Sequence, residues 1–408
     1  MAGIYIHIPF CSQYCTYCNF YSVKQLGLRE RFVEALCVEI LAKKDFFKDA
    51  ALAGRCFAGR EITEDTGSSV TTLYMGGGTP SVLSLEQLGK IVAAVRSAFD
   101  LSLLEEFTIE VNPNDVTPEF AAGLVAIGVN RVSMGVQSFK DEHLVWMNRR
   151  HNASEGKRAV AILREAGINN ISIDLISGFE MLSDADWEYN IKTAISLHPQ
   201  HISAYQMSIE PGSALGAMAR RGEYKGLTDE KCEAQYRTLQ RLLAEGGYDQ
   251  YEISNFALHS DDGRYKSKHN SSYWEGVPYL GLGPAAHSYT GLAMGNGVAR
   301  RIWNNPLVKR YCEYYNGEDG NLSGRRGDIE GYEELTEIDV FNETIMLGLR
   351  KCAGFSLGLL DKSLLKEVEA DIARLVKRGL LVRESNNISI PAEKLFVSDS
   401  IIRELFLS

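Results

Sequence analysis

Short runs of β-branched and aromatic residues alternate with longer amphipathic stretches through most of this chain, and that alternation limits the fold more than any other feature. Candidate strands are IYIHI (4–8), TTLYM (71–75), FTIEV (107–111), RVSMGV (131–136), NISIDLI (170–176) and HISAYQMSI (201–209). Between them, apolar residues at three- and four-residue spacing predict helices around 29–47, 84–99, 117–127, 154–167 and 184–197. Six β-α units are complete by residue 246. Repeated β-α-β connections take right-handed crossovers, which build a parallel sheet, open or curved into a barrel. Since eight units close a full barrel, the six here predict an α/β fold with a partial (β/α)6 barrel. QYEISNF (250–256) is a candidate further strand at its edge, and AGREITEDTGSS (58–69) reads as a surface loop.

Directly after the first strand come Cys11, Cys15 and Cys18, as C-x-x-x-C-x-x-C with no fourth cysteine nearby. Thiolates hold iron–sulfur clusters, usually four to a cubane. Three ligands therefore leave one iron of a [4Fe–4S] cluster open to a small molecule. The alternatives are a zinc site or unrelated thiols. Structural zinc commonly takes two separated ligand pairs, and no second pair follows here. The chain has eight cysteines in 408 residues, too sparse for a disulfide framework. The other five (Cys37, Cys56, Cys232, Cys312 and Cys352) are scattered singly.

Polar residues and glycines collect where the strands end, the edge on which parallel α/β folds keep their sites. Gly76-Gly77-Gly78-Thr79-Pro80 follows the second strand, Glu110 closes the third, Gln137 follows the fourth and Asp174 lies in the fifth. A triple glycine alone reads as a tight turn, and a strand-end carboxylate alone as a structural hydrogen-bonder. An acid inside ISIDLI is expensive unless it is paired or hydrogen-bonded. Together, on one face, these residues predict a ligand site.

YIHIPFCSQYCTYCNF, LYMGGGTP, IEVNP, VSMGVQSF and IDLISG, in that order, resemble the radical S-adenosylmethionine superfamily. Within it they are similar to the branch containing oxygen-independent coproporphyrinogen III oxidases and HemW-type heme chaperones. The resemblance implies that Cys11, Cys15 and Cys18 bind the cluster. It also implies that Tyr5, Gly77, Gly78, Thr79, Glu110, Gln137, Arg149 and Asp174 contact S-adenosylmethionine. The residue types suit those roles. Glycines let backbone amides approach a ligand, and carboxylates accept from ribose hydroxyls or an ammonium. Arg149 suits a carboxylate, or is an ordinary helix-surface arginine beside Arg150. Tyr17 and Phe20 flank the last cysteine and are expected to shield the cluster, whereas His7 reads equally as a core histidine.

Two departures favour the chaperone-like relatives over the oxidases. The oxidases continue their cysteine run two residues further, where this chain has Phe20, and they carry a long arm before the cluster, where this chain has ten residues. His269-Asn270-Ser271-Ser272-Tyr273-Trp274 matches the H-N-x-x-Y-W motif of HemW-type proteins. A neutral imidazole can ligate heme iron, so His269 is the expected heme ligand. His269 is otherwise a loop residue anchored by Tyr273 and Trp274, and His287 in GLGPAAHSY is a second candidate.

From about 335 the pattern turns helical, with ELTEIDVFNETIMLGLR and LLKEVEADIARLVKRGLLV followed by a short ISI strand. The expected domains are a partial barrel over 1–250, an extension over 251–334 carrying the H-N-x-x-Y-W motif, and a small mainly helical, winged-helix-like domain over 335–408. Acids and bases nearly cancel along that last stretch, which favours packing or partner docking over nucleic-acid binding.

The implied cofactors are a [4Fe–4S] cluster, S-adenosylmethionine and heme. The implied partners are heme, a heme-acceptor protein and an electron donor such as a flavodoxin or ferredoxin. A net charge of −10 argues against nucleic acid and anionic membrane surfaces. The chain shows neither a signal-peptide pattern nor an apolar run of about 18 residues, so it is expected in the cytoplasm, with only transient contact with membrane proteins. Two functions follow: a heme chaperone, or a radical enzyme that oxidatively decarboxylates a tetrapyrrole.

Overall fold

The computed structural model describes residues 2–47, 54–55, 69–293, 298–317 and 329–408. The loop expected over 58–69 lies outside these residues except for Ser69, and so does Cys56. The barrel strands are β1 (Ala2–Ile8), β2 (Val70–Gly77), β3 (Glu106–Val111), β4 (Arg131–Gln137), β5 (Asn170–Ser177) and β6 (His201–Gln206). Then come β7 (Tyr248–Gln250), β8 (Asn255–Leu258), β9 (Tyr279–Leu282), β10 (His287–Tyr289), β11 (Arg300–Asn304) and β12 (Glu330–Glu334). All twelve join one sheet in the order β12-β11-β10-β9-β1-β2-β3-β4-β5-β6-β8-β7. Strands β9 and β1 through β6 run parallel, and the pairings beyond β9 and β6 are antiparallel. The two edge strands do not pair, so the barrel stays open, as six units require.

Each parallel strand is covered on both faces, which explains its apolar run. Ile4, Ile6 and Ile8 of β1 are fully buried on the helix side, while Tyr5 and His7 alternate toward the barrel interior. Helices α1 (Arg29–Ala42), α2 (Leu85–Ala98), α3 (Pro118–Ile127), α4 (Ala153–Glu165) and α5 (Asp184–Ser196) fill the crossovers. Their starts follow local chemistry. Ser84 with Gln87, and Asn152 with Glu155, form reciprocal capping boxes. Thr117 caps α3 ahead of Pro118, and Gly128 at φ 100° ends it. The first helix is shorter than its apolar spacing suggests, ending at Ala42, and the sixth strand stops at Gln206.

The segment after 250 holds the largest surprise: β9 to β12 extend the same sheet on the far side of β1. A buried carboxylate fastens them. Glu39 of α1 accepts from the Gly283 amide at 2.7 Å, Asn304 Nδ2 at 2.6 Å and the Tyr311 hydroxyl at 2.6 Å. Lys43 supplies its counter-charge at 3.2 Å. Tyr311 belongs to α8 (Val308–Tyr315), counted after α6 (Asp229–Glu245) and α7 (Lys268–Trp274).

The C-terminal stretch forms a second core around Phe341, Ile345, Leu349, Ile372 and Leu375. It contains α9 (Glu337–Arg350), α10 (Lys362–Lys377) and a three-stranded sheet of Phe355–Ser356, Asn387–Ser389 and Val382–Glu384. This is the small, mainly helical, winged-helix-like unit. It attaches where Cys352 N donates to the Tyr251 carbonyl at 3.0 Å and where Arg350 lies over the Trp274 ring. No helix among the described residues is long and apolar enough to cross a membrane.

Candidate functional site at the C-terminal rim of the barrel

The loop after β1 is pinned on several sides. Cys11 N donates to the Val23 carbonyl at 3.0 Å and Thr16 N to the Met147 carbonyl at 3.0 Å. Thr16 Oγ1 donates to the Trp146 carbonyl at 2.9 Å, and Asn148 Nδ2 to the Tyr14 carbonyl at 2.7 Å. The cysteine loop is thereby fixed to the turn that carries Arg149. Between this loop and the strand ends lies a cavity of about 1090 Å³.

Of the twelve residues that the resemblance assigned to the cluster, S-adenosylmethionine or heme, ten line that cavity: Cys11, Cys15, Cys18, Gly77, Gly78, Thr79, Glu110, Gln137, Arg149 and Asp174. Tyr5 does not. Its hydroxyl donates to His7 Nδ1 at 3.1 Å, and its ring sits beside that of Tyr74, which does line the cavity. His7 is a core histidine whose Nε2 donates to the Tyr21 carbonyl at 3.0 Å.

The glycines are required by packing before any ligand is considered. A Cβ on Gly78 would stand 2.7 Å from the Phe10 carbonyl oxygen, and one on Gly77, at φ 111°, would strike the His7 ring. The close approach of β1 and β2 brings Thr79 Oγ1 to 3.4 Å from Cys11 Sγ. Gln137 ends β4 at φ 66°, a left-handed conformation uncommon outside glycine. Strain of that kind concentrates at functional sites.

Arg149 is not a helix-surface arginine. Its Nη2 donates to the Gly135 carbonyl at 2.6 Å and to Asn112 Oδ1 at 2.5 Å, and its Nη1 reaches Cys15 Sγ at 3.2 Å. Among the described residues its buried Nε has no hydrogen-bond partner. The two acids are equally enclosed. Glu110 accepts from the Tyr74 hydroxyl at 2.8 Å, and Asp174 from Ser133 Oγ at 3.2 Å. Burial pushes Glu110 up to about 7 against the pull of the Tyr74 hydrogen bond, and pushes Asp174 up to about 6 against Ser203 and Ser133.

Burial also raises the Cys18 thiol, to about 11. Among the described residues no three His, Cys, Asp or Glu side chains converge on one ion position. Three thiols round a cavity wall, an arginine beside one of them and an unpartnered guanidinium nitrogen fit a wider thiolate-bound group carrying a small anionic ligand.

Phe20, 76 % exposed, lines the cavity together with Cys18 and Tyr17, and Tyr17 also packs against the core. One expectation needs correction. His269 lies in helix α7 rather than a loop, and it is buried. Its Nδ1 hydrogen-bonds Thr72 Oγ1 at 2.8 Å and its Nε2 the Tyr273 hydroxyl at 2.9 Å. Its ring stacks on Tyr74 at 5.0 Å, and burial pushes its pKa down to about 3. Glu106 accepts the amides of Lys268 and His269 and so holds the start of α7 inside the barrel. An imidazole with both nitrogens bonded in the core is not an open ligand for iron.

Tyr74, Asn112, Arg131, Ser133 and Ser203 complete the cavity and were not singled out in the sequence. Their signal is alternation: Ser133 pairs with Glu110 and Ser203 with Asp174, so polar side chains sit at every second position facing inward.

Residues 5–194 match the family model described as the Radical SAM superfamily. A protein named Heme chaperone HemW from Mycobacterium tuberculosis (strain CDC 1551 / Oshkosh) is 30% identical over 407 residues, covering 99% of this chain and 94% of that protein. Heme chaperone HemW from Bacillus subtilis (strain 168) is 32% identical over 360 residues, covering 87% of this chain and 85% of that protein. Among solved structures, coproporphyrinogen III oxidase (HemN) from Escherichia coli, described as a radical SAM enzyme, superposes with a TM-score of 0.75 at 22% identity. That superposition covers 99% of this chain and 89% of that one, and is a likeness of fold.

Proposed function

The chain belongs to the radical S-adenosylmethionine superfamily, in the branch that includes the HemW heme chaperones, and from that premise we propose that it binds heme and passes it to an acceptor protein. The full-length likeness to proteins named heme chaperones carries this reading, and the phenylalanine at position 20 supports it against the porphyrinogen-oxidase alternative.

In this reading Cys11, Cys15 and Cys18 hold a [4Fe–4S] cluster, and the cavity wall holds S-adenosylmethionine. Bound there, the pair supplies a reductively cleavable sulfonium. The chain's own residues do the positioning. Arg149, fixed by Gly135 and Asn112, presents positive charge beside Cys15. Glu110 and Asp174 accept from hydroxyls or an ammonium and ionise as those donors arrive. Thr79 stands against Cys11. The proposed surroundings are the cytoplasm, an electron donor of the flavodoxin or ferredoxin class, and a heme-acceptor protein.

A hemin titration of the anaerobically reconstituted protein tests the reading. Saturable binding of a single heme per chain is expected; the absence of saturable binding contradicts it.

A further inference from the structure

We infer that His287 is the residue through which this chain ligates heme iron, an assignment that rests on the heme-binding function proposed above. The chain has eight histidines, all among the described residues. Five are buried: His7, His143, His151, His201 and His269. Each is also hydrogen-bonded, to Tyr21, Ser138, Val136, Ser172 and Thr72 respectively. Iron reaches none of them without unpacking the core.

Three remain exposed: His198, His259 and His287. His198 follows α5 and precedes β6, so it lies at the N-terminal rim of the parallel strands, away from the cysteines. His259 follows β8, which is antiparallel to β6, and so lies at that same far rim. Its Nδ1 is 2.7 Å from Asp249, with Asp261 also near, and this acidic setting disfavours a dianionic porphyrin.

His287 differs in its place in the fold, and its charged neighbours are of both signs, Arg301 and Glu333. It opens β10 just after the turn from the C-terminal end of β9, and β9 runs parallel to β1, so it stands on the rim that carries the cysteine loop. The register places it on the same face of the sheet as Tyr5, outside the lining of the cavity itself. Gly281 pairs with Tyr5, Tyr279 with Tyr289, and His287 with Trp303, which puts these side chains on one face. Among the described residues no hydrogen-bond partner occupies its ring. The Trp303 ring lies 6.2 Å away, and a Cβ at Gly331 would collide with that indole, so the glycine lets it lie flat against β12. A flat aromatic surface beside an accessible imidazole suits a porphyrin face. Burial and the charge of Arg301 lower the imidazole pKa against the opposing pull of Glu333, which favours the neutral form that binds metal.

The test titrates hemin into full-length, cluster-reconstituted protein and into His287→Ala, His287→Gln, His259→Ala and His269→Gln, following the Soret band. Circular-dichroism melting reports on folding. Both His287 variants are expected to melt like the parent, weaken binding at least about tenfold and lose the imidazole-ligated Soret position, while His259→Ala binds as the parent does. Parent-like binding by the His287 variants overturns the assignment and leaves the heme-binding function standing. So does loss of binding confined to a His269→Gln protein that still melts normally. No saturable binding by the parent overturns both.

Discussion

Glu110 and Asp174 are carboxyls held in a place that penalises their charge, and their stability effect has a definite sign. Both native pKa values, about 7 and about 6, lie above the ordinary 4.5 and 3.8. The unfolded chain therefore releases these protons first as pH rises, and the ligand-free protein loses stability between about pH 4 and pH 7. Glu110→Gln and Asp174→Asn are expected to raise the stability of the ligand-free protein at pH 8 by about 1–3 kcal/mol each. The gain should fade below pH 4. The same variants should bind S-adenosylmethionine at least about tenfold more weakly in calorimetry. Arg149 has the opposite character. Arg149→Met leaves the Gly135 carbonyl and Asn112 Oδ1 without their donor, which should cost about 2 kcal/mol or more in denaturant unfolding. At this scale the sequence was readable where a charge broke an apolar run, as Asp174 does in ISIDLI. Arg149 was ambiguous because its burial comes from long-range contacts with Gly135 and Asn112. The burial of His269 was not legible for a related reason: its partner Thr72 is almost two hundred residues away in sequence.

Among elements, α1 and α7 do most to shape the site. Helix α1 carries Glu39, the common acceptor for the β9–β10 turn, β11 and α8. Glu39→Ala strands the Gly283 amide and the Tyr311 hydroxyl and leaves Lys43 with Glu330 as its remaining counter-charge, and is expected to destabilise the protein by about 2–4 kcal/mol in urea. A surface capping change such as Ser84→Ala should cost only about 1 kcal/mol. Helix α7 is the H-N-x-x-Y-W motif itself, and it plugs the barrel interior through Glu106, Thr72 and Tyr74. The long helices and the six alternating strands were legible because their period repeats over many residues. Strands β9 to β11 were not, because each has only three to five residues and GVPYLGLGPAAHSY is broken by glycine and proline. Their pairing is set by β1, a partner the local pattern cannot name.

For the whole molecule, the parallel order from β9 through β6 puts every strand end that matters on one rim. The cysteine loop, the glycine turn, the two acids, Gln137 and Arg149 meet there around a single cavity. The α/β class and the open barrel followed from counting β-α units, and the helical C-terminal unit from a change of period. In the proposed function the cluster, S-adenosylmethionine and heme would divide their work at that rim, where Phe20 stands exposed at the position that sets this chain apart from the oxidase pattern. One measurement separates the two functions. The reconstituted protein is incubated anaerobically with S-adenosylmethionine and reductant, with coproporphyrinogen in one arm and hemin in the other, and 5′-deoxyadenosine, carbon dioxide and bound heme are quantified. Stoichiometric heme binding with no carbon dioxide from coproporphyrinogen is the expected result. Coproporphyrinogen-dependent 5′-deoxyadenosine with matching release of carbon dioxide would contradict a heme chaperone.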